Sequence, residues 1–320
     1  MTTPVVAIVA LVVALIATPL SIVAARRVGI MDEPGKLKSQ TVPIPYLGGI
    51  GVFAGLVIGV LQGHPLVLVP LAAGLVLGVA DDRFDIAPRT RLAGEIGIGL
   101  VVVATCPVHA AGFVAVPVLV AVTVLLINGV NLLDGLDMLA GGVVAVAAVG
   151  FAVILHEPGR SIAVALAAAL AGFLVFNRPP ARIYLGDGGS YVLGTALAVL
   201  LAGSWAPHVA ISTGTAALAL VAIPVAEVAF AVIRRLRGRQ SLVAGDRGHP
   251  YDRLVARGWH RLYASAAYVG VELLFAVGVV FAVHRSSFRT AVVVDVLAAL
   301  VLVAAAAGTG ALSPDQEAQP

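Results

Sequence analysis

Charge is scarce in this chain. Only 12% of its 320 residues are Asp, Glu, Lys or Arg, while 60% are hydrophobic, and the mean hydropathy is +1.04. That balance excludes an ordinary soluble domain. Cysteine is nearly missing as well. A single residue, Cys106, excludes an internal disulfide and leaves no Cys cluster for a metal, so it reads as a small packing residue. The apolar stretches are rich in Val, Ala, Leu and Gly and lack any strand-like alternation, which argues for a helical bundle and against a β-barrel. No internal repeat stands out, which weighs against an inverted-repeat transporter.

What is present is a series of apolar runs. A bilayer-crossing helix needs about 20 residues. Eleven candidates fit, at roughly 3–25, 47–62, 64–80, 91–106, 110–128, 139–155, 160–176, 189–204, 208–233, 262–283 and 289–309. The expected fold is an all-α polytopic bundle of 10 to 11 helices. It forms one integral domain over 1–312 with a disordered cytoplasmic tail over 313–320. Loops after odd-numbered spans hold 17 of the 20 Lys and Arg; loops after even spans hold only Arg160, Arg285 and Arg289. Positive charge stays in the cytoplasm, so the N-terminus is expected outside and the odd loops and C-terminus inside. The charges of the first span follow its apolar run, which fits a retained anchor better than a cleaved signal. Gly51, Gly55 and Gly59 form a small-residue seam suited to close helix packing.

The polar residues gather in a few knots, all after odd spans, and polar clusters at a membrane mark an active site or an ion path. Asp81 and Asp82 end the third span. Neighbours on a helix diverge by about 100°, so one carboxylate can approach a metal while the other takes a proton; a helix cap or a salt bridge to Arg83 or Arg91 is the plainer alternative. Asn128, Asn131 and Asp134 recur every three residues, followed by Gly135 and Asp137. Placed on one helix face, they suit hydrogen bonding to a nucleobase or ribose, or else interhelical packing. From Asn177 to Ser190 two prolines stop a helix and three glycines follow. That loop offers backbone N–H groups to phosphate, with Asp187 as an oxygen ligand for Mg²⁺. His249, beside Arg247, Arg253 and Arg257, suits a diphosphate clamp. Residues 252–263 read as an interfacial helix weakened by Gly258, a cytoplasmic anchor for anionic lipid.

In this order, these stretches resemble the polyprenyl-phosphate N-acetylhexosamine-1-phosphate transferases. The matching pieces run from Asp32-Glu-Pro34 and Pro43-Ile-Pro-Tyr-Leu-Gly-Gly49 through Asp81-Asp82 with Arg91, Asn128 to Asp137, Phe176 to Ser190, and Asp246-Arg247-x-His249. The resemblance implies transfer of a sugar-1-phosphate from a UDP-N-acetylhexosamine to a polyprenyl phosphate carrier at the cytoplasmic membrane face, with release of UMP. It implies Mg²⁺ or Mn²⁺ as cofactor and no nucleic-acid partner; a homodimer follows from family analogy alone. Asp187 would be the metal ligand, joined by Asp82, and Asp81 or Asp82 would deprotonate or position the lipid phosphate, with His249 completing the catalytic set. Asn177, Tyr184, Gly135, Leu136 and Asp137 would surround uridine, with Tyr184 as the stacking platform. Three departures stand out. The His-rich stretch of the family reads His249-Pro250-Tyr251-Asp252, Met138 stands where Gly is common, and Gln40 stands where many relatives have His. The missing histidines argue against the muramoyl-pentapeptide branch and favour a GlcNAc-1-phosphate initiating enzyme. The competing expectations are a cation-coupled transporter and a catalytically silent UDP-sugar-binding relative.

Overall fold

A computed structural model describes residues 1–34, 42–106, 114–241 and 248–313. Arg247, Asp246, Gln40 and nearly all of the expected tail lie outside the described residues. Among the described residues the regular structure is helical except for one ribbon of two strands, each two residues long. Seven helices are long and apolar enough to cross a membrane: α1 (Thr3–Val28), α3 (Leu68–Phe84, entered through a 3-10 turn at Pro65–Val67), α5 (Ala115–Leu133), α7 (Gly159–Asn177), the continuous unit Ile211–Arg237, α12 (Arg261–His284) and α13 (Phe288–Thr309). The unit Ile211–Arg237 is made of α9 (Ile211–Ala217), a 3-10 segment (Leu218–Val221) and α10 (Ala222–Arg237). Two shorter apolar helices, α2 (Gly48–Gly63) and α6 (Leu139–Ile154), join them. With α4 (Pro88–Thr105) and α8 (Gly186–Ser204) they complete the expected set of helices. The protein is a multi-span, all-α membrane protein.

Helix α8 is the axis of the bundle. Its residues from Gly188 to Ala202 are all buried, and α2, α3 and α5 pack against it. Glycine allows this approach. A Cβ at Gly49 would overlap the backbone of Gly189, and one at Gly78 would overlap the carbonyl oxygen of Asp187. On the other face of α2, Gly51, Gly55 and Gly59 abut Thr18, Ala10 with Ala169, and Ser161 with Ala165. The small-residue seam thus clamps α2 between α1 and α7.

The helix ends sort by parity. Residues after α1, α3, α5, α7 and α10 border one cavity, while His64, Cys106, His156 and His208 border another at the opposite ends of the helices. The antiparallel ribbon β1 (Met31–Asp32) and β2 (Ile44–Pro45), in register Met31 with Pro45 and Asp32 with Ile44, leads into α2. Tyr184 N–H donates to the Pro45 carbonyl at 2.8 Å, and Gly48 N–H donates to the Tyr184 carbonyl at 3.0 Å. The 178–185 connection is thereby stitched to the start of α2.

Two expectations about helices need correction. The interfacial helix expected over 252–263 is instead α11 (Pro250–Ala256) followed by a break. Gly258 has φ +92, a left-handed value that ends the helix, and α12 then restarts at Arg261. Asp187 does not sit in a free loop but in the first turn of α8.

Gly78→Val places branched atoms against the Asp187 carbonyl, and overpacking of this kind costs about 1–3 kcal/mol. A Cβ at Gly97 meets nothing within 4 Å, so Gly97→Ala is expected to be neutral or to gain about 0.5–1 kcal/mol of helix propensity. Thermal melts of the two variants in detergent check the contrast.

Candidate active site

The cavity at the ends of the odd-numbered spans measures about 980 Å³. Asp81 and Asp82 come from the last turn of α3, Asn131 from the last turn of α5, and Asp134 from just beyond it. Asp187 comes from the first turn of α8. All five border the cavity, as do Gly135, Leu136, Asp137, Asn177, Tyr184 and His249. Asn128 does not border it.

The two adjacent aspartates serve different partners. Asp81 is committed to the scaffold: Oδ1 accepts from Ile86 N–H at 2.9 Å, and Oδ2 accepts from the Tyr191 hydroxyl at 2.8 Å and from Arg91 at 3.5 Å. Asp82 spans the start of α8. Its Oδ1 accepts from Asp187 N–H at 3.1 Å and its Oδ2 from Gly188 N–H at 3.2 Å. Those N–H groups have no intrahelical acceptor, and the positive end of the helix dipole favours a carboxylate there. The backbone N–H groups expected to face a phosphate are therefore already met, at two positions, by a side chain.

Asn131 donates to Asp187 Oδ1 at 2.5 Å and to Ser190 at 3.2 Å. Asp134 is half-buried at the cavity wall, and the nearby Gly186 backbone N–H favours its ionised form. Gly186 has φ +73 and packs against the Tyr46 carbonyl and Asp82, so a side chain there would be both strained and crowded. Asn177 is a clamp: its Oδ1 accepts from Met138 N–H at 2.8 Å, and its Nδ2 donates to the Ile183 carbonyl at 2.9 Å. Met138 has φ +65, a conformation that glycine adopts at no steric cost. This is the physical reason why Gly suits that position. Asp137 Oδ2 accepts from Ala181 N–H at 3.2 Å.

The cavity is strongly acidic. The Asp134 carboxyl is pushed well above its ordinary value of 3.8, first by burial and then by Asp187 and Asp82. The phenols of Tyr46 and Tyr184 are pushed up to about 12 by burial and by nearby carboxylates, Asp32 and Asp82 for Tyr46, Asp137 and Asp32 for Tyr184. Arg83 and Arg261 also border the cavity. Among the described residues no three His, Cys, Asp or Glu side chains already form a metal cage. The oxygen-only donor set still fits Mg²⁺, which is commonly held by one or two carboxylates and completed by substrate phosphates and water.

Several expected roles change place. Asn128 turns away and donates to Glu95 Oε2 at 2.6 Å, joining α5 to α4 in the packing role that was its alternative reading. Arg253 and Arg257 do not flank His249 as a clamp. Arg257 donates to the carbonyls of Gly308 and Thr309 at 2.8 and 3.0 Å, and Arg253 to Ser313 at 3.4 Å. Arg234 and Arg237 reach Ala311 and Leu312 at 3.0 and 2.8 Å. Together they donate to the last carbonyls of α13, Gly308 and Thr309, and to those of the turn just beyond it, Ala311 to Ser313, at a helix end where cations are favoured. Local sequence reading missed Tyr46, Tyr251 and Arg261 as cavity residues. Tyr46 lies within the Pro43–Gly49 stretch and Tyr251 two residues beyond His249, so their positions in those stretches were the available signal.

Residues 64–204, which hold Asp81 through Asp187, match the model of the family described as glycosyl transferase family 4. That stretch is a little under half of the chain. It is 28% identical over 310 residues to the "Probable undecaprenyl-phosphate N-acetylglucosaminyl 1-phosphate transferase" of Bacillus subtilis (strain 168), covering 89% of this chain and 85% of that protein. It is 28% identical over 303 residues to the "Decaprenyl-phosphate N-acetylglucosaminephosphotransferase" of Mycobacterium tuberculosis (strain ATCC 25618 / H37Rv), covering 78% and 75%. With the "Undecaprenyl-phosphate alpha-N-acetylglucosaminyl 1-phosphate transferase" of Yersinia pestis it shares 29% identity over 261 residues, 73% of this chain and 71% of that one.

The raised Asp134 carboxyl has a consequence for stability. The folded state holds that proton more tightly than the unfolded chain, so the contribution is full below the unfolded value near 3.8. It is lost as pH rises through the higher folded value. In chelator-treated protein, Asp134→Asn is expected to flatten the fall in Tm toward neutral pH and to raise the Tm there. Melts across a pH series check this.

Proposed function

We propose that this protein transfers a HexNAc-1-phosphate, GlcNAc-1-phosphate in the first instance, from a UDP-sugar to a polyprenyl phosphate. The products are a lipid-linked sugar diphosphate, which starts a cell-envelope glycan, and UMP. The observation that carries this reading is that Asp82, Asn131, Asp134 and Asp187, from three different helices, share one cavity at the edge of the membrane-spanning bundle. Its volume of about 980 Å³ is at the large end for small-molecule sites. The relatives named above act on undecaprenyl or decaprenyl phosphate and carry N-acetylglucosamine in their names, which supports the choice of acceptor and sugar.

Asp187 and Asp82 would hold Mg²⁺ or Mn²⁺. When bound, that cation supplies charge neutralisation to the diphosphate. The chain's own residues do the rest. An oxygen of the lipid phosphate attacks the β-phosphorus of the UDP-sugar and forms the new P–O bond. The bond from the β-phosphorus to the bridging oxygen breaks, and its electron pair leaves on UMP. A phosphate monoester has a second pKa of about 6, so the attacking group needs positioning more than it needs a base. Asp81, with its oxygens engaged by Ile86, Tyr191 and Arg91, fixes the α3 end that presents Asp82. Arg83 and Arg261 at the cavity rim offset the repulsion between two anionic phosphates. Tyr184 provides a ring against uracil, with Gly135, Leu136 and Asp137 beside it. Asn177, committed at both ends of its amide, shapes this subsite from behind.

Purified protein incubated with UDP-GlcNAc, undecaprenyl phosphate and Mg²⁺ is expected to release UMP, and Asp187→Asn to reduce that release to background with the fold intact. No UMP from any UDP-HexNAc donor, in a folded sample, overturns the transferase reading; near-normal release by Asp187→Asn overturns the metal assignment.

The charge asymmetry supports a cytoplasmic cavity, with the N-terminus outside and the C-terminus inside. Arg285 and Arg178 are both exposed, at opposite ends of the bundle. In intact cells a membrane-impermeant maleimide is expected to label Arg285→Cys, and to label Arg178→Cys only after permeabilisation.

A further inference from the structure

One buried acid beside the cavity has no part in the scheme above. Glu227 lies in α10, is 2% exposed, and does not border the cavity. Its Oε2 is 2.7 Å from His249 Nδ1, and its Oε1 accepts from the Tyr268 hydroxyl at 2.6 Å. His249 does border the cavity. Its ring lies parallel to that of Tyr251, with centroids 5.3 Å apart and 5° between planes. Tyr251 is in turn tied to the Leu132 carbonyl at the end of α5 at 2.7 Å. The imidazole is thus held on one face by Tyr251 and at one nitrogen by Glu227.

We propose that Glu227 is a positioning residue that fixes the proton of His249 on Nδ1, so that the imidazole acts on the donor's diphosphate through Nε2. This rests on the transferase reading for the identity of the ligand. An ionised carboxylate can only accept, so with Glu227 ionised the hydrogen in the 2.7 Å contact belongs to Nδ1. The bond made by one ring nitrogen sets what the other can do. Nothing in the local sequence announces the pair, because 22 residues separate its members.

Glu227→Gln tests the arrangement. The amide offers one acceptor oxygen to two donors, and its NH₂ turned toward Nδ1 drives the proton to Nε2. The readout is the ¹⁵N spectrum of [¹⁵N-His] full-length protein in nanodiscs, with His249 assigned by its loss in His249→Gln. Wild type is expected to show the Nδ1–H form, and Glu227→Gln the Nε2–H form or a mixture. UMP release from UDP-GlcNAc should fall at least about tenfold in kcat/KM, as when an orienting partner of an imidazole is removed. The double variant with His249→Gln should be no slower than His249→Gln alone. Losses that multiply, or a ¹⁵N pattern unchanged by Glu227→Gln, overturn the proposal. If Glu227→Gln does not fold, Glu227→Asp withdraws the carboxylate by one methylene and is read in the same way. A wild-type protein that releases no UMP sinks the transferase reading, while the ¹⁵N spectra still decide whether Glu227 sets the tautomer.

Discussion

The structure depends on how closely the first turn of α8 is pressed against its neighbours. Gly49 meets Gly189 and Gly78 meets Asp187 with no side chain between. That contact brings the Asp82 carboxylate across two backbone N–H groups and sets Asn131 against Asp187. The apolar shell matters as much as the polar contacts. In a low-dielectric surrounding each hydrogen bond is stronger, and each unmet donor is costlier. A larger residue at either glycine would part the helices and leave several buried groups without partners at once.

Much of this was legible because polar residues are so scarce in the chain. With 12% charge, any knot of Asp, Asn and Arg stands out against the apolar background, and the positions after odd-numbered spans do border one cavity. The helical passes followed from hydropathy for the same reason. What the chain did not disclose was where each helix ends and which way each side chain turns. Asn128, Asn131 and Asp134 share a three-residue spacing, but Asn128 turns to Glu95 and Asp134 lies past the helix with ψ 35. The face inferred from regular periodicity therefore does not hold over all three.

The arginines show a different limit. Arg253 and Arg257 look like part of an anion site in a linear reading, whereas Arg234 and Arg237 close the ninth span. The hydrogen-bond partners of all four include carbonyls 51 to 77 residues away. Long-range partners of this kind leave no trace in spacing, and the same holds for Glu227 with His249. The cavity is in consequence more acidic than the linear reading suggested, with Arg83 and Arg261 at its border and two phenols pushed up to about 12.

Asp82 belongs at once to the packing of α8 and to the wall of the cavity. Occupancy and architecture are therefore linked thermodynamically. Whatever binds in contact with that carboxylate alters the seating of the central helix, and whatever unsettles the helix alters affinity by the same factor, since coupling free energies are reciprocal.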